Sequence, residues 1–373
     1  MSETTTASAD SYALTDAPKG VAVAPDLPYQ PRDPQAYRPR IALIGAGGIT
    51  FAHLGAYRQA GYDIVAICDQ DIERARNRRD EFYPEAAITT DVDDILGRDD
   101  IAVVDIATHP AARVSLIERA LDARKHVLSQ KPFVLDLDVG EALVERADRN
   151  GVKLAVNQNG RWAPHFGYMR EAVRAGVVGE VQSVHLGVHW DHTWTKGTPF
   201  EDIDDLVFYD FAIHWFDFLA SLIGDRATNV FATRAHAAGQ QMRPPMLAQA
   251  LVEFEGGQCS LAFDAHARFG PLDTTYISGT EGSLVSQGPN LGSQAVTLYT
   301  AEGEAHPLLQ GAWFNDGFHG AMGELLCAIE EDREPINGAR GNLLSLQLCF
   351  AAIASSHSKA PVRPGTVRKL SVA

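Results

Sequence analysis

Gly45-Ala46-Gly47-Gly48-Ile49-Thr50 lies between an apolar run, Ile41 to Ile44, and a stretch that reads as a helix from Ile49 to Ala60. A buried strand that turns through glycines into a helix leaves backbone N–H groups pointing at whatever anion sits at the helix start. Glycine at 45 permits the tight turn, and glycine at 47 lets the backbone approach a pyrophosphate. Gly48 adds looseness, and Thr50 stands where a third small residue usually packs helix against strand. A second apolar run, Asp63 to Cys68, ends at Asp69, about twenty residues further on, as the dinucleotide fingerprint requires. A carboxylate there can accept both ribose hydroxyl protons and repels a 2′-phosphate. Gln70 and Asp71 follow it, with no arginine immediately after, so the order favours NAD over NADP. A plain glycine turn and a surface aspartate would explain either piece alone, but not the ordered set.

The alternation continues. Ile72 to Phe82 reads as a charged amphipathic helix, Ile101 to Ala107 as a strand, Ala111 to Ala123 as a helix, and His126 to Ser129 as a strand. Val139 to Arg149 is a further helix, and Lys153 to Val156 a further strand. Strands and helices in turn imply a parallel sheet covered on both faces. Past residue 160 the texture changes. A helix at Tyr168 to Ala175 precedes strand-like runs at 181–190, 229–236, 248–255, 259–267, 274–278 and 295–300, several separated by glycine turns. Such runs without helices between them suggest a mostly antiparallel sheet. Helices are expected at Leu206 to Leu222, Gly317 to Glu331 and Asn342 to Ser355. The fold class is thus α/β: a dinucleotide-binding domain over 39–158 and a second α/β domain with a large open sheet over 159–373. Residues 1–38, with five prolines from Pro18 to Pro34, read as an arm, either a disordered tail or a proline-stiffened strap across a neighbouring subunit or the cofactor.

Two clusters carry chemistry. Lys131-Pro132 follows a strand that should end at the carboxyl edge of the sheet, where ligands bind. A lysine there can stabilise negative charge on a substrate oxygen, and the bond to Pro132 is a candidate cis peptide. Asp210-x-x-x-His214-x-x-Asp217 lies in an otherwise apolar helix, where spacings of four and three place the side chains on one face. Titratable groups embedded among Phe211, Ile213, Trp215, Phe216 and Phe218 must find partners or act chemically. Histidine suits hydroxyl deprotonation; a buried histidine satisfied by its aspartate is the plainer alternative. Thr108, just past the strand ending at Ala107, joins the expected cofactor contacts. Arg161 and Trp162, after the last strand of the first domain, are expected to line the cleft.

These residues resemble the glucose–fructose oxidoreductase / inositol dehydrogenase / rhizopine-catabolism family. The resemblance runs from Ile41 to the C-terminus through Gly45 to Ile49, Ile67 to Asp69, Ala123 to Leu128, Lys131-Pro132, Gly176 to Val181, Asp210 to Asp217 and Ser278 to Gly282. It implies a Rossmann domain, and a second domain whose sheet forms an oligomer face. It also implies Lys131, Asp210 and His214 as the catalytic set, with His214 as base, Lys131 polarising the same oxygen, and Asp210 orienting the substrate or His214. The family's Glu-Lys-Pro is here Gln130-Lys131-Pro132, and Val114 and Ser115 stand about where many members carry a histidine.

The formal net charge of −16 argues against a nucleic-acid partner. No apolar run reaches the roughly 18 residues of a membrane span, and the polar N-terminus lacks the pattern of a secretory signal. Four cysteines, none in a C-x-x-C pair, fit reduced, buried positions and a cytoplasmic protein. His189-Trp190-Asp191-His192 raises a metal site, but His189 and His192 would point to opposite faces of an extended strand and no metal is expected. All five tryptophans lie beyond the first domain, where their faces could stack on sugar C–H faces or pack a core. The expected activity is an NAD-dependent dehydrogenase acting on a secondary hydroxyl of a sugar, sugar derivative or cyclitol, in a homo-oligomer. A redox-neutral enzyme that retains NAD, or a dinucleotide-binding regulator, are the alternatives.

Overall fold

Burial is unbroken through Ile41 to Ile44 and Val103 to Ile106, as in strands covered on both faces. The computed structural model describes residues 20–370. Its first half runs β1 (Arg40–Ile44), α1 (Thr50–Ala60), β2 (Asp63–Cys68), α2 (Ile72–Phe82), β3 (Ala87–Thr89), α3 (Asp93–Leu96), β4 (Ile101–Ile106), α4 (Pro110–Asp122), β5 (His126–Gln130), α5 (Leu137–Asn150) and β6 (Leu154–Asn157). The six strands are parallel, in the order β3-β2-β1-β4-β5-β6. The order reverses direction beside β1 and β4, and their carboxyl ends form the crevice where such sheets bind ligands.

The second half runs α6 (Pro164–Arg174), β7 (Val181–His189), α7 (Ile213–Ile223), β8 (Ala227–Ala235), β9 (Leu247–Phe254), β10 (Gly257–Asp264), β11 (Leu272–Gly279), β12 (Gly282–Asn290), β13 (Ser293–Thr300), β14 (Gly303–Ala305), α8 (Trp313–Glu330) and α9 (Ala339–Ser358). Its sheet, β14-β13-β12-β11-β7-β10-β9-β8, is antiparallel except for the central β7–β10 pair. Helices cover one face only. On the other face Phe231, Leu251, Ser260, His185 and Tyr276 are directly paired across five strands, and Phe231, Leu251 and Tyr276 are exposed.

The two closing helices tie the halves together. α8 lies along α1, and α9 packs on β8, α7 and α5. The described part of the proline-rich arm, from Gly20 to Arg38, is not a loose tail. Tyr29 packs edge-on against Tyr168, and the Glu330 carboxylate on α8 accepts the backbone N–H groups of Gln35, Ala36 and Tyr37. It straps its own chain rather than the cofactor. The rest of the expected arm, residues 1–19, lies outside the described residues.

The single helix expected from Leu206 to Leu222 is instead broken. Val207–Phe211 forms a wide turn, closed by Ala212 N–H donating to the Val207 carbonyl at 2.7 Å, and α7 starts only at Ile213. This i→i+5 closure inserts a residue into the turn and shifts the faces that simple 3.6-residue spacing would align.

Candidate active site

A cavity of about 770 Å³ opens along the carboxyl ends of the parallel strands and extends under the second sheet. Gly47, Gly48 and Ile49 line one end, Thr108 and Lys131 the middle, and Asp210 and His214 the other end. Seven residues expected in the site therefore share one space. Gly45 and Asp69 lie immediately behind the glycine-loop end.

The loop's conformation explains its residues. Gly45 has φ +96°, and a Cβ there would stand 2.9 Å from the Ala107 carbonyl. At Gly47 and Gly48 a Cβ would meet nothing within 4 Å, so these positions face open space where a ligand's backbone contacts would be made. Asp69 accepts the Ala46 N–H at 2.7 Å through one oxygen and the Asp71 N–H at 2.9 Å through the other, which fixes the loop against the end of β2. Thr50, in place of a third glycine, is fully buried and donates its hydroxyl to the Gly47 carbonyl at 2.6 Å. Arg78 on α2 braces the same turn through the Gly47 and Gly48 carbonyls. The Thr108 hydroxyl is buried without a protein partner beside the cavity. Open glycine backbone, a carboxylate at the end of β2 and an orphaned hydroxyl fit a dinucleotide, with Gly45 to Ile49, Asp69, Thr108 and Lys131 as its holders.

Beyond that end, Lys131 follows β5 through a cis bond to Pro132. Its ammonium lies 3.2 Å from the Asp210 carboxylate and donates to the Asp210 carbonyl at 2.9 Å. The wide turn at Val207–Phe211 thus delivers Asp210 to Lys131, not to His214. His214 makes its own contacts. Its Nδ1 is buried without a partner against Gly160, where a Cβ would crowd the ring at 3.2 Å, and its ring stands edge-on to Trp313 at 5.7 Å. Burial, then the nearby Lys131 charge, hold its pKa well below the ordinary histidine value, so the ring is neutral at neutral pH.

Three expectations fail here. Asp217 does not share the face of His214's cavity contacts. It is buried and paired with Arg161, whose guanidinium donates to both carboxylate oxygens at 2.6 and 2.9 Å. Ser345 completes that pair at 2.8 Å. Arg161 therefore holds α7 to the turn at Asn159–Trp162 rather than lining the cleft. Trp162 is also buried, packed against Gly320 of α8 with Arg170 over its ring. Trp313 on α8, held by its indole N–H to Asn159 at 2.9 Å, lines the cavity instead.

Two supports had no local signal in the sequence. Arg113, buried in α4, donates to the Pro132 and Thr108 carbonyls and so spaces the two loops that flank the middle of the cavity. Below Lys131 lies a buried polar chain. His53 Nδ1 pairs with Asp105 at 2.7 Å, His53 Nε2 stands 3.0 Å from Gln130 Nε2, and Gln130 Oε1 accepts the Lys131 N–H at 2.7 Å. Among the described residues no group of three or more histidine, cysteine, aspartate or glutamate side chains could hold a metal ion, and no helix is long and apolar enough to cross a membrane.

Comparison with known proteins matches residues 39–158 to the oxidoreductase family with an NAD-binding Rossmann fold, and residues 166–285 to the GFO/IDH/MocA C-terminal domain. The chain is 31% identical to D-apiose dehydrogenase of Paraburkholderia graminis over 65% of its length, a match that spans 66% of that protein. It is 26% identical to inositol 2-dehydrogenase of Rhizobium meliloti over 86% of its length and 97% of that protein's. A solved levoglucosan dehydrogenase, in complex with NADH and levoglucosan, superposes with a TM-score of 0.76 at 19% identity, covering 88% of this chain and all of that one (100%).

Proposed function

Because the chain belongs to the NAD-binding GFO/IDH/MocA family of oxidoreductases, we propose that it oxidises a secondary hydroxyl of a sugar, sugar derivative or cyclitol. The observation that carries this reading is the meeting of Lys131, Asp210 and His214 with the glycine loop in one cavity. When bound, NAD supplies the hydride acceptor. His214, neutral in its buried setting, takes the hydroxyl proton on its ring. Lys131 donates a hydrogen bond to the same oxygen and stabilises the negative charge that develops there. Asp210 fixes the ammonium from beside it and accepts a neighbouring hydroxyl of the substrate. The names of the relatives, an apiose and an inositol dehydrogenase, support neutral polyols as the substrate class.

The open face of the second sheet is the proposed surface for a second copy of the chain. On it Phe231 and Leu251 form an exposed apolar pair, with Tyr276 beyond Ser260 and His185 in the same row, on a face that no helix covers. Sedimentation of Leu251→Asp beside the unaltered protein tests it, a smaller species being the expected result.

Formation of NADH across a panel of sugars, glycosides and inositols, with NAD binding measured separately by calorimetry, tests the activity. NADH from a member of the panel is expected. Tight NAD binding without NADH from any member would move the assignment to a redox-neutral or regulatory role.

A further inference from the structure

The end of the cavity beyond Lys131 is lined by more aromatic surface than a polyol ring needs. Trp190 and His192 stack at 5.5 Å with 10° between their planes, and Phe211 lies 4.3 Å from His192. Burial pushes the His192 pKa down to about 4, so this wall is uncharged at neutral pH. Continuing this wall, the segment from Thr193 to Ile203 brings Trp194 and Phe200, edge-to-face at 5.3 Å and each 6.3 Å from Phe211, to the rim with Pro199 and Ile203 beside them. Trp194 remains 56% exposed, an indole left in water at the mouth of a cavity.

Polar groups at this end gather around the sugar position, where the Tyr209 hydroxyl and the Trp190 and Trp215 indole N–H groups of the lining are also buried without a protein partner. Lys131, Asp210 and His214 stand together, with Asn159 already accepting the Trp313 indole and Asp191 accepting the Thr193 N–H. A sugar ring at Lys131 finds its hydroxyl partners there. The side chains of Trp194, Phe200 and Phe211 themselves offer a second polar ring only the Trp194 indole N–H, so most hydroxyls buried against them would lack partners, each costing about 1–3 kcal/mol. Charge narrows the choice further. Among the described residues Lys131 is the only lysine or arginine lining this end, Arg74 lying at the glycine-loop end, and it is already paired with Asp210, while Asp191 adds a second carboxylate. An anionic group would meet net negative charge and no free cation.

We infer that the substrate is an uncharged glycoside with a planar aromatic aglycone, its sugar ring at Lys131 and His214 and its aglycone against Trp194, Phe200 and Phe211. The inference rests on the dehydrogenase reading for the position of the sugar ring. Flat apolar rings gain from both burial and edge or face contact with such walls.

The test uses matched pairs, methyl and phenyl glycosides of glucose, galactose and xylose, titrated calorimetrically into the NAD-loaded protein. In at least one pair the phenyl glycoside should bind about tenfold or more tightly than its methyl partner. Trp194→Ala and Phe200→Ala should collapse that ratio toward one, while Phe269→Ala, an exposed aromatic away from the cavity (91% exposed), leaves it unchanged. Equal binding within every pair, or no binding by either member of any pair, overturns the inference. NADH read on the same samples separates the two claims. A phenyl preference without NADH refutes the dehydrogenase reading and keeps the aromatic site; NADH with equal kcat/KM for both members of a pair does the reverse.

Discussion

Gln130 Nε2 stands 3.0 Å from His53 Nε2, and through its other amide atom Gln130 holds the Lys131 backbone N–H at 2.7 Å. A carboxamide suits this place because it presents a donor to the ring nitrogen and an acceptor to the peptide. With His53 Nδ1–H donated to the buried Asp105, the ring's Nε2 is an acceptor, and the Gln130 amide N–H matches it. The departure from Glu-Lys-Pro is thereby paired with a histidine on α1 that shares its hydrogen bond.

Gln130 is accordingly a positioning residue for Lys131. Gln130→Ala should lower kcat about tenfold, which corresponds to about 1.4 kcal/mol of barrier, and should leave the dissociation constant for NAD within about twofold. A purely structural role would lower thermal stability without the split between kcat and NAD affinity. Steady-state kinetics beside NAD calorimetry decides it, and an unchanged kcat would refute the role.

His214→Ala should reduce turnover by about 10²-fold or more with NAD binding intact, as loss of a general base does. The sign of the pH dependence follows from its environment. A pKa held below the ordinary histidine value keeps the ring unprotonated as pH falls through 6.5, so kcat/KM should stay level there and decline only in more acidic solution. Lys131 contributes to the lowering, so Lys131→Met should move the acid limb of the profile to higher pH. An acid limb centred near 6.5 in both proteins would contradict this account.

Asp69→Ala should weaken NAD binding and narrow the preference for NAD over NADP, because the carboxylate both anchors the glycine loop at Ala46 and opposes a 2′-phosphate. Calorimetry with the two cofactors checks it. Equal weakening for both would leave only the anchoring role.

Arg161 and Asp217 form a buried bidentate pair away from the cavity, so their loss should be felt in folding rather than in chemistry. Removing one partner strands a buried charge, and Asp217→Ala should destabilise the protein by about 3–5 kcal/mol. Thermal melting reads this, and kcat/KM of the fraction that remains folded should stay near that of the unaltered protein. A melting temperature unchanged by the substitution would show that the pair carries little.

The first sheet and the cofactor loop were legible because their signals are local. Apolar runs of strand length, Gly45 and Gly47 between strand and helix, and Asp69 at the next strand end are all read within one stretch of chain. The break at Val207–Phe211 was not legible, because a widened turn has the same apolar composition as the helix it interrupts. Spacing alone groups Asp217 with Asp210 and His214, while its partner comes from the distant Arg161. The chain position of Arg161 and Trp162 marks the crossover between the domains, but the return of α8 covers Trp162 and brings Trp313 to the cavity. β12, broken by Gly282, Gly288 and Pro289, carries too little strand character to stand out without its neighbours β11 and β13. His53 and Arg113 gave no signal, since a lone polar residue on an apolar helix face reveals its partner only in three dimensions.

The central claim is net oxidation of a hydroxyl carbon with release of NADH. It is tested most directly by stoichiometry, with catalytic protein, limiting substrate and excess free NAD followed to completion by absorbance of NADH and mass analysis of the sugar. The account predicts one NADH for each substrate molecule, the product lighter by two hydrogens, and many turnovers per protein. Consumption of substrate with no net NADH and a product unchanged in oxidation level would contradict it.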